Sequence, residues 1–147
     1  MPLVDPHAIC ASTAVAVPAA TAFEFMADGM KQDHWALGSM GREALGDGLF
    51  RGKSSFDGSD LYVKLESDRE LLLVDYATGP SPQELVPHVE ARVRPGSWVG
   101  LPEDDAASVV TLTIWRWAGA DEEEWEFHWH LWRTEIRLIK GAIERGL

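Results

Sequence analysis

The C-terminal stretch Asp121–Leu147, DEEEWEFHWHLWRTEIRLIKGAIERGL, constrains the rest of the chain more than any other. It has no proline and opens on Asp121 followed three residues later by Glu124, the D-x-x-E form of a capping box. Glu122, Glu123 and Glu124 crowd the first turn, while Arg133, Arg137, Lys140 and Arg145 come later, so both signs suit a helix dipole. Gly146 stands where such a helix stops. At about 100° per residue, Trp125, Trp129, Trp132, Ile136, Ile139 and Ile143 share one stripe ~80° wide, bordered by His128. A second apolar row, Phe127, Leu131, Leu138 and Ala142, lies about 120° round from it. Glu126, His130, Arg133, Arg137, Lys140 and Glu144 form the polar back. A surface helix needs one apolar stripe of about 100°, and this one carries about twice that. Whatever folds around it must cover it from more than one side.

The remaining chain supplies a sheet. His7–Val17 alternates small and apolar residues up to Pro18, which suits the first turn of a helix over Ala19–Ala27. Met30–Leu37 reads as a second short helix anchored by Trp35 and Leu37. Strand patterns follow at Met40–Gly46, Gly48–Phe56, around Leu61, Val63 and Leu65, at Leu71–Thr78, Leu85–Arg94 and Val109–Trp117. Asp57-Gly58 marks a hairpin turn, and residues 95–106 form a longer loop holding Trp98. The expected class is α+β: about seven antiparallel strands curled around the C-terminal helix, with two short helices after the first strand closing one end. The length fits one domain over residues 1–147, large enough for a real core.

Charge and cysteine usage narrow the partners. A formal net charge of −11 argues against nucleic-acid phosphates and anionic lipid. The single cysteine, Cys10, rules out an internal disulfide, fits a reducing compartment and reads as buried filler in the first strand. No Lys or Arg precedes Lys31, so the small-residue N-terminal run lacks the charged start of a signal peptide. No apolar run is long enough to insert across a membrane. A cytoplasmic location is the expectation.

The order of elements resembles the helix-grip fold of the START-related, polyketide-cyclase-like superfamily, often called SRPBCC. The resemblance is carried by STAVAVPAATAFEFMAD, a strand running through proline into a helix, by the tryptophan in DHWALGSM, by the meander, and by the closing helix with its acidic cap. It covers nearly the whole chain as a pattern of elements rather than of catalytic residues. It implies an apolar cavity between sheet and helix, in a superfamily of lipid and steroid carriers, hormone receptors, aromatases and cyclases. Fold alone does not choose among these.

The candidate binding residues are Trp35, Tyr76, Arg116, Trp125, His128, Trp129 and Trp132. The three helix tryptophans pack the core or wall a flat ligand, and the two roles are compatible. Asp75 and Tyr76 lie on opposite faces of one strand, and Tyr76 is expected inward because an unpaired buried charge is costly. Arg116 shares the parity of Val110, Leu112 and Ile114, so its guanidinium needs a carboxylate, an anionic ligand or the rim. His88, Glu90, Arg92 and Arg94 alternate with Val89, Ala91 and Val93 and read as a solvated outer face. His128 and His130 point about 200° apart on a helix and cannot share a metal. No metal, no cofactor and no nucleophile motif is expected.

Three functions remain open. The first is binding of a small hydrophobic molecule, aromatic or weakly anionic ones included. The second is a cyclase or dehydratase that uses a pocket acid or base, drawn from Tyr76, Asp75, His34 or His128. The third is a protein-interaction module or homodimer using the row Phe127, Leu131 and Leu138.

Overall fold

The computed structural model describes residues 5–101 and 106–147. Seven strands form one antiparallel sheet: β1 (Ala8–Val15), β2 (Met40–Gly46), β3 (Leu49–Lys53), β4 (Asp60–Asp68), β5 (Leu73–Gly79), β6 (Val86–Pro95) and β7 (Ser108–Trp115). Their order across the sheet is β1-β7-β6-β5-β4-β3-β2. Helix α1 (Ala19–Ala27) and a 3-10 segment (Gly29–His34) follow β1, and α2 (Glu122–Glu144) closes the chain. No helix among the described residues is long and apolar enough to cross a membrane.

The inner face of the sheet follows from strand alternation. Ile9, Ile114, Val89 and Tyr76 stand opposite one another across four strands, as do Ala11, Leu112, Ala91 and Val74, and all eight are buried. These cross-strand rows stack β-branched and aromatic side chains on one surface, which is what stabilises a sheet locally. The continuous apolar run of β5 sits at the middle of the order, as a strand buried on its core face should.

Helix α2 covers that face. Its cap forms as the sequence predicts: Glu124 N donates to Asp121 Oδ1 at 2.8 Å, and Asp121 N donates to Glu124 Oε2 at 3.4 Å. Trp125, Trp132, Ile136, Ile139, Ala142 and Ile143 are buried and make the seam with the sheet. The helix leans chiefly on β1, where Lys140 Nζ donates to Ala14 O at 2.8 Å and Ala16 N donates to Glu144 Oε2 at 2.9 Å. At its other end, Trp125 Nε1 donates to Asp5 O at 2.7 Å. Because α2 is tied to the β1 edge, the curved middle of the sheet stands off from it. The space between is the cavity described below.

Several expectations need correction. The second short helix is a 3-10 segment that ends at His34 rather than Leu37, held by Met30 N donating to Asp28 Oδ1 at 2.9 Å; so short a run is the length at which 3-10 geometry is used. The third strand stops at Lys53, so Phe56 leaves the sheet for the turn and is exposed. The last strand ends at Trp115, which takes Arg116 and Trp117 out of the alternation that would have set their faces. Cys10 is exposed on the outside of β1, with Sγ 3.3 Å from Thr113 Oγ1, because Ile9 and Ala11 take the inner positions.

Candidate functional site: a cavity between sheet and C-terminal helix

A cavity of about 870 Å³ opens between α2, the 3-10 segment and β4–β7. Volumes of roughly 300–1,000 Å³ with mainly apolar walls are usual for small-molecule sites. Of the residues singled out in the sequence, Trp35, Tyr76, Arg116, His128 and Trp132 line it. Trp125 and Trp129 do not. Trp125 is sealed in the seam beneath Trp117, with ring centroids 6.1 Å apart, and Trp129 lies half-buried under the Arg133 guanidinium at 4.2 Å. The helical stripe is wide enough that its members part: Trp132 meets the cavity, whereas Trp129 turns to the outer edge.

Tyr76 points inward, as the cost of burying an unpaired Asp75 predicts, and packs edge-on against Trp35 at 6.0 Å. Its hydroxyl is already engaged, donating to Met26 O at 2.5 Å, so the ring rather than the hydroxyl faces the cavity wall. Burial pushes the phenol well above its ordinary range. Arg116 is engaged too: Nη2 donates to Ala120 O and to Glu122 Oε1, both at 2.9 Å, and the guanidinium stacks over Trp125. It is a rim residue held by its own carboxylate.

His88 is the clearest departure from the sequence reading. Alternation sends it outward with Glu90 and Arg92, yet it lines the cavity. The cause is a β-bulge: Tyr76 pairs with Val89 and Thr78 with Val86, so Pro87 and His88 together face Ala77. A bulge re-aims the side chain beside it. Pro87 was the signal for it, since proline inside a strand is confined to edges and bulges. His88 Nε2 lies 3.1 Å from Thr78 Oγ1, and its ring, like that of His128, packs on Trp117, at 6.0 and 4.6 Å. Burial, and then the neighbouring His128, hold His88 below its ordinary pKa; burial does the same to His128. His128 Nδ1 donates to Glu124 O at 2.9 Å, which fixes the tautomer and leaves Nε2 as the bare nitrogen.

Glu135 also escaped the sequence reading, which used neither its face nor its charge. It is 3% exposed and lines the cavity one turn after Trp132. Oε1 accepts the Leu37 N–H at 3.0 Å, and no Lys, Arg or His pairs with it among the described residues. Burial pushes its carboxyl up to about 8. Four further lining atoms, Gln32 Oε1, Trp35 Nε1, Trp132 Nε1 and His88 Nδ1, are buried without a hydrogen-bond partner. No cluster of His, Cys, Asp or Glu suited to a metal occurs among the described residues.

The second apolar row of α2 divides. Leu131 lines the cavity, Leu138 packs against the core, and Phe127 meets Phe56 edge-on at 5.1 Å. Leu131 and Leu138 thus turn inward, while Phe127 stays exposed beside Phe56.

No protein-family model matches the sequence, and no curated protein does. Solved structures do match. A START superfamily protein from Mycobacterium smegmatis superposes with a TM-score of 0.67 over 96% of this chain and 99% of its own, at 10% identity. The fold is START-like. The Zhui aromatase/cyclase from Streptomyces sp. R1128 has a TM-score of 0.64 over 94% of this chain and 93% of its own, at 18% identity. An uncharacterized Bacillus thuringiensis protein reaches 0.67 over 92% and 98%, at 12% identity. At such identities the START-like likeness is one of architecture, and function has to be argued from the site.

Proposed function

We propose that the protein binds a small hydrophobic molecule in the cavity between the sheet and α2. The observation that carries this is the cavity itself: about 870 Å³, with a mainly apolar surface to which Trp35, Tyr76, Leu131 and Trp132 contribute. Its buried, unpartnered polar atoms support the same reading, because such atoms are costly unless something satisfies them. The pairing of Arg116 with Glu122 supports a neutral ligand over a weakly anionic one. The lone cysteine supports a reducing, cytoplasmic setting.

The test is titration with the neutral fluorophore N-phenyl-1-naphthylamine, beside native mass spectrometry of the protein as purified. One molecule should bind per chain, and Leu131→Trp, which adds bulk at the lining, should weaken binding at least about tenfold while leaving the circular-dichroism spectrum unchanged. Absence of binding, or binding indifferent to Leu131→Trp, would sink the proposal.

A second reading, a cyclase-like enzyme, is favoured by one observation: the fixed tautomer of His128 leaves a neutral imidazole nitrogen on the cavity wall. Such a group is poised as a general base near neutral pH. Deuterium exchange into the acidic methylene of benzoylacetone tests it. The protein should speed exchange and His128→Gln should not; equal rates with both would remove this reading and leave binding.

A further inference from the structure

The cavity holds a carboxyl group that the fold does not need for charge balance. Glu135 is tied to Leu37 through one oxygen only, while Oε2 makes no hydrogen bond among the described residues. No cation pairs with it, although burial of an unpaired carboxyl is costly. Arg116, the one Lys or Arg on the lining, is spent on Glu122. Asp60, which Lys53 pairs at 2.7 Å, and Glu84 also line the cavity, so the lining holds three carboxyl groups and one guanidinium. Two tryptophans share this lining with Glu135. Trp132 lies one helical turn before it, and Trp35 stands two residues before Leu37, whose amide holds the carboxyl. A carboxylate backed by indole faces is the chemistry that recognises an organic cation, by charge at one point and by cation–π contact around it.

We propose that this cavity takes a hydrophobic organic cation, an amine on a flat or greasy frame, with its ammonium on Glu135 and its frame between Trp35 and Trp132. The inference rests on the cavity being a ligand site and adds the chemical class of the ligand. It also accounts for a carboxyl kept inside an aromatic pocket. Without ligand the group remains protonated, as a buried acid should. The arriving ammonium supplies the partner that allows it to ionise, and one proton leaves to solvent.

Isothermal titration calorimetry at pH 7.5 with three matched probes, 1-naphthylmethylamine, 1-naphthylmethanol and 1-naphthoate, separates the possibilities. The amine should bind at least about tenfold tighter than the alcohol, and the carboxylate weakest of the three. In Glu135→Gln, which keeps an oxygen for Leu37 N–H, the amine should fall to the level of the alcohol. An alcohol or carboxylate that binds the wild type as tightly as the amine overturns the cation proposal and leaves the binding function standing. The same holds if none of the three binds while N-phenyl-1-naphthylamine does. If that probe fails as well, both readings fall together. A preference for the amine that survives Glu135→Gln overturns the assignment to this carboxyl.

Discussion

The carboxyl of Glu135 accepts the main-chain N–H of Leu37 at 3.0 Å, which joins the middle of α2 to the segment that closes the end of the sheet. The same group sits at about 8 because burial disfavours its charge. The unfolded chain sheds this proton near the ordinary Glu value, while the folded chain keeps it until about 8. Between those values the folded state binds more protons, so its stability falls as pH rises through that window. Glu135→Gln retains an acceptor for Leu37 and cannot ionise. Relative to wild type it should gain on the order of 3 kcal/mol between pH 5 and pH 8, read from urea unfolding of ligand-free protein at both pH values. Parallel stability curves would show that the carboxyl is not protonated in the folded state.

Tyr76 donates its hydroxyl to Met26 O, so it joins the central strand to the end of α1. Tyr76→Phe removes the donor, keeps the ring against Trp35, and leaves a carbonyl without its partner. The expected loss is about 1 kcal/mol, at the cost of one neutral hydrogen bond. Binding of N-phenyl-1-naphthylamine should change less than about threefold, because the ring and not the hydroxyl meets the cavity. A large fall in affinity with intact stability would return the hydroxyl to the ligand.

The architecture was legible because it rests on periodicity. The helical stripe of α2, the alternation of β4, β6 and β7, and the Pro18 boundary each mark an element without reference to anything distant. The site was legible only in part, since its members depend on register. Tyr76 could be placed because the alternative, Asp75 facing inward, would bury an unpaired charge. His88 could not, since a bulge shifts it and only Pro87 hints at that bulge. Trp125 and Trp129 share a stripe with Trp132, and only the tilt of α2 toward β1 decides which of the three reaches the cavity. Glu135 stands beside Ile136 in a run with charges on both sides, and nothing local separates a buried carboxyl from a solvated one.

Phe56 in the β3–β4 turn and Phe127 on α2 meet edge-on, at 5.1 Å and 86°, beside the cavity residues Ser59 and His128. Both rings are partly exposed, so the pair draws on aromatic geometry more than on burial. A double-mutant cycle of Phe56→Ala and Phe127→Ala should give a coupling of about 0.5 kcal/mol, the low end for aromatic pairs. Because the contact bridges a turn and a helix that both supply lining residues, either single variant should also raise the off-rate of N-phenyl-1-naphthylamine in stopped-flow measurements. Unchanged off-rates with measurable coupling would make the pair a brace with no bearing on access.

Asp121 closes the N-terminus of α2 through the reciprocal bonds with Glu124. The first turn it stabilises carries Trp125, packed over the N-terminal segment, and Glu124, whose carbonyl holds His128. Asp121→Ala should therefore cost about 1 kcal/mol of global stability, the usual worth of such a cap. Asp121→Asn, which keeps the acceptor, should cost only a fraction of that. The loss should be local as well as global. Amide exchange at residues 124–128 should speed up more than at residues 136–143, where Ile136, Ile139 and Ile143 anchor the helix in the core. Because the frayed turn holds the His128 tautomer, the Nδ1 proton of His128 should broaden in NMR spectra of Asp121→Ala and remain sharp in Asp121→Asn. A sharp Nδ1 signal in both variants would show that the carbonyl bond to His128 survives without the cap.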